Sequence, residues 1–372
     1  MNGDVDGIES LLTASVPVRM LDETGKLLSR IDRTGDDRST DARLSEAYRW
    51  MVIGRRFDDQ AIALAKQGRL AAYPSSRGQE AAQVSGVLAL GQNDWVFPTY
   101  RDSTALLAWG LDPVQILTAM RGDWHCGYDP HAVRAAPQCT PLATHALHAT
   151  GFAYAARRRG EDRVALVFVG DGATSEGDFH EALNFAGVFA APVVFLVQNN
   201  QYAISVPRSK QSAARSLAHK GIGHGVASVS VDGNDALAVL TVMQRAIAHA
   251  RAGRGPYLIE ALTYRVSPHT STDDDSRYRE QIEVEQWIGR DPIVRLEHYL
   301  CERGILDDWR IAEIRAEADA VATRLRSHLS QTIRVDPREL FRHVYAMPTP
   351  QLQEQLAWLE EELDAEREQE SG

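Results

Sequence analysis

Residues 164–203 read VALVFVGDGATSEGDFHEALNFAGVFAAPVVFLVQNNQYA, with two short apolar runs on either side of a helical pattern. The runs Val164–Val169 and Val193–Val197 are continuously apolar and rich in β-branched and aromatic residues, as central parallel strands are. The helical pattern between them begins at Asp178. Strand, helix and strand in this order predict a doubly wound α/β fold with a mostly parallel sheet flanked by helices.

Each apolar run is followed at once by residues suited to a metal-bound phosphate. Gly170, Asp171 and Gly172 follow the first run, and Asn200 comes soon after the second. Ligands of open α/β sheets bind at the carboxyl ends of strands, where glycines let the backbone approach phosphate oxygens. Because Mg²⁺ takes a few oxygens from protein and the rest from phosphate and water, Asp171 and Asn200 are predicted metal ligands. Asp-Gly alone is also common turn chemistry.

The string from Gly170 to Ser205 resembles the thiamine diphosphate signature of the 2-oxo acid dehydrogenases. More narrowly, the chain resembles the alpha subunit of their decarboxylating component, from about Leu44 to about Tyr278. The motifs VFPTYRDS, CTPLATH, YAISVP, VDGND and TYRVSPHTSTDD occur in the family's order, and the last four favour the branched-chain type over the pyruvate type. The resemblance implies thiamine diphosphate and Mg²⁺ as cofactors, with oxidative decarboxylation of a 2-oxo acid and reductive acylation of a lipoyl group.

Composition is compatible with such an enzyme. The chain has 372 residues, 44% of them hydrophobic, and a formal charge of −11 that argues against a nucleic-acid surface. Three cysteines, Cys126, Cys139 and Cys301, form no paired framework, which indicates a reducing compartment. The acidic start MNGDVDGIES shows no signal or transit peptide, and no apolar stretch is long enough to span a bilayer. We therefore expect a cytoplasmic protein.

Three regions are predicted along the chain. Residues 1–40 form an N-terminal arm that is disordered or lies on a partner, residues 41–280 the thiamine diphosphate-binding α/β domain, and residues 281–372 a C-terminal helical extension. The remaining predicted elements are helices at Asp41–Gln67, Pro141–Arg159 and Asp235–Ala252, strands at Val226–Val231 and Tyr257–Leu262, and a final amphipathic helix with Leu352, Leu356, Leu359 and Leu363 on one face.

The resemblance also implies residues that hold the cofactor. Tyr100 and Arg101 match the family's tyrosine-arginine pair, and a guanidinium fork suits a diphosphate oxygen, although a surface arginine in a turn is the plain alternative. Thr140 and Leu142 match positions at the aminopyrimidine end, although a helix start containing proline would explain them without a ligand. Thr99 and Thr140 suggest room for a branched substrate, while the preferred 2-oxo acid stays open.

Residues of the signature itself complete the implied cofactor site. Gly170 belongs to it, Gly172 and Ala173 offer backbone N–H groups to the diphosphate, and Gln198 reaches it from the second strand. Gln198 stands where branched-chain relatives often carry an arginine, so Arg101 and Mg²⁺ would carry more of the charge compensation. The Tyr202 carbonyl is the implied third metal ligand. By contrast, three acids that follow the signature are expected to be helix-start charges: Glu176, Asp178 and Glu181.

His269 is the predicted catalytic residue, and the family places this histidine beside the reactive carbon of the cofactor. Histidine exchanges protons near neutral pH, as decarboxylation and acyl transfer require, although a lone loop histidine is usually only solvated. The loop from Thr270 to Asp275 is phosphorylated in mitochondrial relatives and could equally be a flexible polar loop; the sequence shows no kinase.

A rival metal site also has to be weighed. Soft ligands crowd one segment, but with no C-x-x-C and no H-E-x-x-H their spacing fits no zinc motif, so packing and loop roles are favoured: His125, Cys126, His131, Cys139, His145 and His148. Cys139 and His145 also replace the serine and glutamine that coordinate potassium in mitochondrial branched-chain enzymes, which puts that monovalent site in doubt.

The resemblance implies partners as well. In this family a beta subunit supplies the glutamate that activates the cofactor, so we expect an α₂β₂ heterotetramer that docks to a lipoyl acyltransferase. Two other classes stay open: a dinucleotide-binding α/β protein, which lacks its G-x-G-x-x-G here, and a non-catalytic family member.

Overall fold

The central sheet of the molecule has five parallel strands. The computed structural model describes residues 16–28, 37–122, 125–331 and 336–371. In spatial order the strands of the sheet are β1 (Trp95–Phe97), β2 (Ala165–Gly170), β3 (Val193–Asn199), β7 (Tyr257–Leu262) and β6 (Ala227–Asp232). Two further strands, β4 (Tyr202–Ala203) and β5 (Val206–Pro207), pair as a short antiparallel hairpin after β3. The parallel α/β sheet predicted from the sequence is confirmed.

Helices cover both faces of this sheet. In chain order the α-helices are α1 (Asp37–Lys66), α2 (Glu80–Leu88), α3 (Ser103–Ala108), α4 (Pro113–Ile116), α5 (Pro130–Val133), α6 (Thr144–Arg158), α7 (Gly177–Val188), α8 (His219–Ile222), α9 (Ala236–Arg251), α10 (Gln281–Ile288), α11 (Pro292–Glu302), α12 (Asp308–Leu329), α13 (Glu339–Arg342) and α14 (Pro350–Ser371). One face packs against α2 and α9, and the other against α6 and α7.

The strands read as continuous apolar runs because they are buried on both faces. In β2, Leu166 and Phe168 belong to the core on the α2 and α9 side, whereas Val167 and Val169 belong to the core on the α6 and α7 side. All four side chains are fully buried. A run without polar alternation is what a parallel strand between two helical layers requires.

The N-terminal segment packs on its own chain, which corrects part of the prediction for residues 1–40. Val18 donates its N–H to the Ser230 carbonyl (2.8 Å) and accepts from the N–H of Asp232 (2.9 Å), so it pairs with β6 at the edge of the sheet. The N–H groups of Met20 and Leu21 both donate to one Asp235 carboxylate oxygen at 2.7 Å. Unsatisfied edge groups of β6 and the buried carboxylate therefore hold this segment. Residues 1–15 lie outside the described part of the chain.

Other element predictions differ in detail. The predicted helix from Pro141 begins only at Thr144, because Ala143 has a left-handed backbone conformation (φ 62°) that a helix cannot include. Strand β1 (Trp95–Phe97) was not predicted from the sequence, because three residues are too few to show a periodic pattern.

Helix α12 of the C-terminal region packs against helix α1. Helix α12 packs along α1, where Arg49 Nε lies 2.8 Å from Glu317 and Arg56 Nε lies 2.6 Å from Asp319. Leu325 and Leu329 of α12 are buried in the same core as Leu44 and Met51 of α1. Within the residues that the structure describes, no helix combines the length and apolar character needed to cross a membrane.

Candidate active site

The predicted site residues meet at one edge of the sheet. The strands β1, β2, β3 and β7 are parallel, so their carboxyl ends lie side by side. The segment with Tyr100 and Arg101 follows β1, Asp171 follows β2, Asn200 follows β3, and the segment leading to His269 follows β7. Ligands of open α/β sheets bind at this edge.

Three oxygen atoms of the predicted metal ligands face one another. The Asn200 amide Nδ2 donates to Gln79 Oε1 at 3.2 Å, and its oxygen then lies 3.3 Å from Asp171 Oδ1 and 3.0 Å from the Tyr202 carbonyl oxygen. Neighbouring oxygens in an octahedral Mg²⁺ shell with bonds of 2.0–2.1 Å are about 2.9 Å apart. In this orientation the Asn200 oxygen faces two further acceptors, and a cation between the oxygens would remove their repulsion.

The opposite orientation of the same amide provides a second way to satisfy these atoms. With the amide turned, the Asn200 nitrogen donates to Asp171 Oδ1 and to the Tyr202 carbonyl, while its oxygen faces Gln79. The position of the side chain is the same in both cases. When the Asn200 nitrogen faces Asp171 Oδ1 and the Tyr202 carbonyl, it donates to both of these oxygens. When the Asn200 oxygen faces them instead, a bound cation could contact all three oxygens.

Asp171 is a buried carboxylate, 3% exposed. Burial raises its pKa to about 6, and a hydrogen bond from Gln211 Nε2 (3.3 Å) acts in the opposite direction. The carboxylate is therefore costly to keep charged without a cationic partner. Gln211 was not identified from the sequence, because nothing in the local pattern connects it to β2.

Arg101 and His269 are in direct contact. Arg101 is 5% exposed, and one guanidinium nitrogen lies 3.0 Å from His269 Nδ1 and donates to the His269 carbonyl at 2.9 Å. The other terminal nitrogen donates to the Ser75 carbonyl at 2.9 Å. The Tyr100 ring meets the His269 ring edge to face, with centroids 6.2 Å apart. The predicted cofactor residue and the predicted catalytic residue thus form one unit.

Burial and this contact together keep His269 neutral. Burial, followed by the charges of Arg101 and Arg265, lowers the pKa of His269 to about 4. A guanidinium group can only donate, so Nδ1 is an acceptor and the proton of the neutral ring is on Nε2. At neutral pH the ring can therefore donate one hydrogen bond through Nε2 but carries no charge.

Arg265 is a buried residue of this site that the sequence analysis did not single out. Its guanidinium donates to the Tyr202 carbonyl (3.2 Å), the Ile204 carbonyl (2.7 Å) and the Tyr278 hydroxyl (2.9 Å). The Tyr278 hydroxyl also donates to Asp273, which accepts from the N–H of His269 at 2.9 Å. These bonds tie the His269 segment to the hairpin after β3. The sequence signal that could have identified Arg265 is its place as the basic residue of the motif TYRVSPH.

Gln198 is placed beneath the site rather than open to it. It is 2% exposed, its Nε2 donates to Asp102 Oδ1 at 2.6 Å, and its Oε1 accepts from Gln83 at 3.0 Å. Thr99 also donates to Asp102, through Oγ1 at 2.7 Å, so its hydroxyl is already satisfied. Both residues are thus held by a buried carboxylate at the base of the Arg101 loop.

The remaining predicted cofactor residues line the rim. Thr140 and Leu142 are exposed and follow Cys139, whose carbonyl accepts from the N–H of Tyr100 at 3.2 Å. Gly170 is the last residue of β2, and Gly172 and Ala173 lie in the turn that follows it. A Cβ on Gly170 would have no protein atom within 4 Å, whereas one on Gly172 would stand 2.6 Å from Ala203 Cβ. Glu176, Asp178 and Glu181 are exposed around the start of α7.

The residues of the rival zinc site have other partners. His145 is buried and its Nε2 lies 2.6 Å from the Phe168 carbonyl, while Cys139 Sγ donates to the Pro141 carbonyl at 3.2 Å. Across residues 16–28, 37–122, 125–331 and 336–371, no three histidine, cysteine, aspartate or glutamate side chains are grouped to hold a metal. A zinc site in this segment therefore has no support.

The cluster fits an anionic ligand with a divalent cation. Among the described residues, neither Arg101 nor Arg265 forms an ion pair with a carboxylate, and the charge of buried Arg265 opposes the rise in the pKa of Asp171. Three buried polar atoms around the cluster also lack hydrogen-bond partners there: Gln79 Nε2, Gln211 Oε1 and Arg265 Nε. Buried charges and polar atoms normally find partners, so this edge suits a phosphorylated ligand with its metal.

Comparison with known proteins identifies the family. The family model described as "Dehydrogenase E1 component" matches residues 48–324. A protein of Mycobacterium tuberculosis named 3-methyl-2-oxobutanoate dehydrogenase subunit alpha is 49% identical over 316 residues, which cover 85% of this chain and 86% of that one. A Staphylococcus aureus protein named pyruvate dehydrogenase E1 component subunit alpha is 40% identical over 308 residues, 82% of each chain. The chain therefore belongs to the dehydrogenase E1 component family.

Proposed function

We propose that this chain is the alpha subunit of a 2-oxo acid dehydrogenase that acts on branched-chain 2-oxo acids of the 3-methyl-2-oxobutanoate type. Family membership implies thiamine diphosphate, and we propose Mg²⁺ as the metal that accompanies it. The alternative substrate is pyruvate, since a relative 40% identical carries the pyruvate dehydrogenase name. The higher identity of 49% to the branched-chain relative, together with the motifs after β3, favours the first.

One observation carries the proposal. The Asn200 side-chain amide lies 3.3 Å from Asp171 Oδ1 and 3.0 Å from the Tyr202 carbonyl oxygen, at the carboxyl ends of two neighbouring strands. An oxygen-lined corner of this kind suits Mg²⁺, with the remaining positions left to phosphate and water. A dinucleotide-binding protein would leave this arrangement without a purpose. A non-catalytic family member would have no need to hold Arg101 against His269.

Thiamine diphosphate, when bound, would supply a carbon nucleophile and an electron sink for decarboxylation of a 2-oxo acid. The chain's own residues would bind and orient. We propose that Arg101, Gly172 and Ala173 hold the diphosphate, with Tyr100, Gly170 and Gln198 supporting that end and Thr140 and Leu142 at the aminopyrimidine end. We further propose that neutral His269 donates through Nε2 to the bound 2-oxo acid and assists acyl transfer to lipoyl.

A beta subunit is the expected partner, because the relatives carry the names of alpha subunits. We propose an α₂β₂ heterotetramer in which the beta subunit supplies the glutamate that activates the cofactor. A lipoyl acyltransferase would dock transiently to accept the acyl group. We place the assembly in the cytoplasm.

Reconstitution of the chain with its beta subunit tests the function. We expect no decarboxylation by the chain alone. The heterotetramer should show the highest kcat/KM for 3-methyl-2-oxobutanoate in a panel with pyruvate, 2-oxobutyrate and the other branched-chain 2-oxo acids. Preference for pyruvate would support the alternative, and robust activity without a partner would contradict the proposed assembly.

Calorimetric titration tests the cofactor separately from turnover. Thiamine diphosphate should bind the heterotetramer only with Mg²⁺ present, and Asp171→Ala should abolish the metal-linked part of the binding. NAD should give no heat under the same conditions. Binding of NAD, or uptake of thiamine diphosphate without Mg²⁺ dependence, would refute the assignment.

A further inference from the structure

A buried carboxylate outside the predicted site supports both of its main residues. Asp58 lies on α1 and is 1% exposed. It accepts three hydrogen bonds: from the Tyr73 hydroxyl (2.8 Å), the Ser75 hydroxyl (2.6 Å) and the N–H of Ser76 (2.8 Å). Each of these donors lies in the segment Tyr73–Arg77, which runs from α1 towards α2.

The same two serines contact Arg101. The Ser75 carbonyl accepts from the Arg101 guanidinium at 2.9 Å, and the Ser76 hydroxyl donates to the Arg101 carbonyl at 2.7 Å. Each serine therefore bonds to Asp58 through one group and to Arg101 through another. Asp58 therefore positions the groups that bind the guanidinium and the backbone carbonyl of Arg101.

The opposite side of Tyr73–Arg77 contacts the His269 segment. The N–H of Ser271 donates to the Tyr73 carbonyl at 3.0 Å, and its hydroxyl accepts from the N–H of Tyr73 at 3.2 Å. The Ser75 hydroxyl lies 3.1 Å from Ser267 Oγ. The segment is thus placed between Asp58 on one side and the residues flanking His269 on the other.

We propose that Asp58 is a positioning residue that sets the contact between Arg101 and His269 through the segment Tyr73–Arg77. It touches neither cofactor nor substrate. The inference rests on the proposed function for its consequence in catalysis, but the geometry that it predicts is measurable without turnover. Burial raises the pKa of Asp58 to about 6, as expected for a carboxylate whose partners are neutral donors.

Two substitutions separate hydrogen-bond geometry from charge. Asp58→Asn keeps an oxygen for Tyr73 and Ser76, and the Ser75 hydroxyl can turn to accept from the new amide nitrogen. Asp58→Ala removes every acceptor. The matched control is Asp94→Ala. Asp94 is fully buried and accepts from the N–H of Val164 (2.8 Å) and from Arg251 (2.6 Å), but it precedes β1 at the opposite edge of the sheet.

The first measurement is the pKa of His269 in the assembled heterotetramer, from hydrogen–deuterium exchange at its ring carbon followed by mass spectrometry. Asp58→Ala should move this pKa from its lowered value towards the ordinary histidine value, because the guanidinium is no longer held at Nδ1. Asp58→Asn and Asp94→Ala should leave it unchanged. An unchanged His269 pKa in Asp58→Ala would overturn the proposal, whatever the enzyme's activity.

The second measurement is steady-state kinetics of the same four proteins. Since small misplacement of a catalytic group costs up to about 100-fold, Asp58→Ala should lower kcat by about tenfold to 100-fold. Asp58→Asn should stay within about threefold of wild type, and Asp94→Ala should lower Tm with little change in kcat. Equal kcat in Asp58→Ala and Asp94→Ala would overturn the proposal. Absence of turnover in the wild type would refute the proposed function alone.

Should Asp58→Ala fail to assemble, Ser75→Ala supplies the same test. It removes one bond to Asp58 but keeps the carbonyl that accepts from Arg101. We expect a smaller shift of the His269 pKa in the same direction. No shift would again contradict a positioning role for Asp58.

Discussion

Asp171 and His269 have pKa values that burial moves in opposite directions. The pKa of Asp171 rises to about 6, and that of His269 falls to about 4. In both cases burial disfavours the charged form. At neutral pH the site therefore combines a carboxylate with a neutral imidazole. This pairing suits a metal ligand beside a hydrogen-bond donor, and the charge of Arg265 acts on both groups, opposing the rise in the pKa of Asp171 and lowering that of His269.

The lowered pKa of His269 predicts a pH dependence of stability. The folded protein holds His269 neutral down to about pH 4, whereas in the unfolded chain it gains a proton below about pH 6.5. The unfolded state therefore binds more protons in this window, and the stability due to neutral His269 is lost as pH falls from about 6.5 towards 4. The free energy of unfolding of wild type relative to that of His269→Gln should therefore decrease as the pH falls from about 6.5 towards 4.

Denaturant unfolding of both proteins at pH 5, 6 and 7 measures this difference. His298→Gln, which alters an exposed histidine, serves as the control and should give a curve parallel to wild type. Parallel curves for His269→Gln as well would show that the folded site does not exclude the proton.

At the scale of elements, the turn after β2 brings two glycines to different environments. Gly172 lies against the β4–β5 hairpin, where a Cβ would stand 2.6 Å from Ala203 Cβ. Gly170 faces no protein atom within 4 Å of the same added group. Packing between the turn and the hairpin therefore requires glycine at position 172. At position 170 an added Cβ would meet no protein atom, at the edge where the diphosphate is proposed to bind.

This contrast predicts opposite behaviour of two alanine variants. Gly172→Ala should lower the free energy of unfolding by about 1–3 kcal/mol, because overpacking forces the hairpin to shift. Gly170→Ala should leave stability within about 0.5 kcal/mol of wild type but weaken binding of thiamine diphosphate. Denaturant unfolding and calorimetric titration of the heterotetramer separate the two effects. Wild-type cofactor affinity in Gly170→Ala would argue against close approach of the diphosphate there.

At the scale of the whole molecule, helix α12 and the segment 16–28 both pack against the α/β domain. Helix α12 packs along α1 with Leu325 fully buried in the shared core, and Val18 pairs with the edge strand β6. Arg295 of α11 joins these regions, since its guanidinium donates to Asp232 at 2.9 Å and to the Leu21 carbonyl. The sequence pattern changes to helical near residue 280, where a domain boundary was predicted, but the hydrophobic core includes residues from both sides of that position.

A shared core predicts one cooperative unfolding transition. Leu325→Ala should lower the global free energy of unfolding by about 2–5 kcal/mol, because it leaves a cavity between α1 and α12. Glu317→Ala, which removes an ion pair with Arg49 at the edge of the same contact, should cost no more than about 1 kcal/mol. Calorimetry should show a single peak displaced in Leu325→Ala. Two peaks, with only one displaced, would show that the C-terminal helices unfold alone.

The sequence by itself determined the parallel sheet, the family and the edge at which the site lies. Continuous apolar runs such as Val164–Val169 need burial on both faces, which two helical layers provide. Parallel strands then bring their carboxyl ends together. Tertiary structure alone decided which side chains support that edge. Asp58, Gln79 and Arg265 lie far from the signature along the chain, and no pattern within the signature records their contacts or those of Gln211.

The same distinction explains the corrections. The segment from Val18 to Leu21 is too short to show a strand pattern, and its place beside β6 depends on Asp235, which is 214 residues beyond Leu21. Gln198 follows an apolar strand as a phosphate contact would, yet Asp102 and Gln83 occupy its amide from other elements. Periodicity reports which face of an element is buried, whereas the partner of a polar group is fixed only when distant segments fold together.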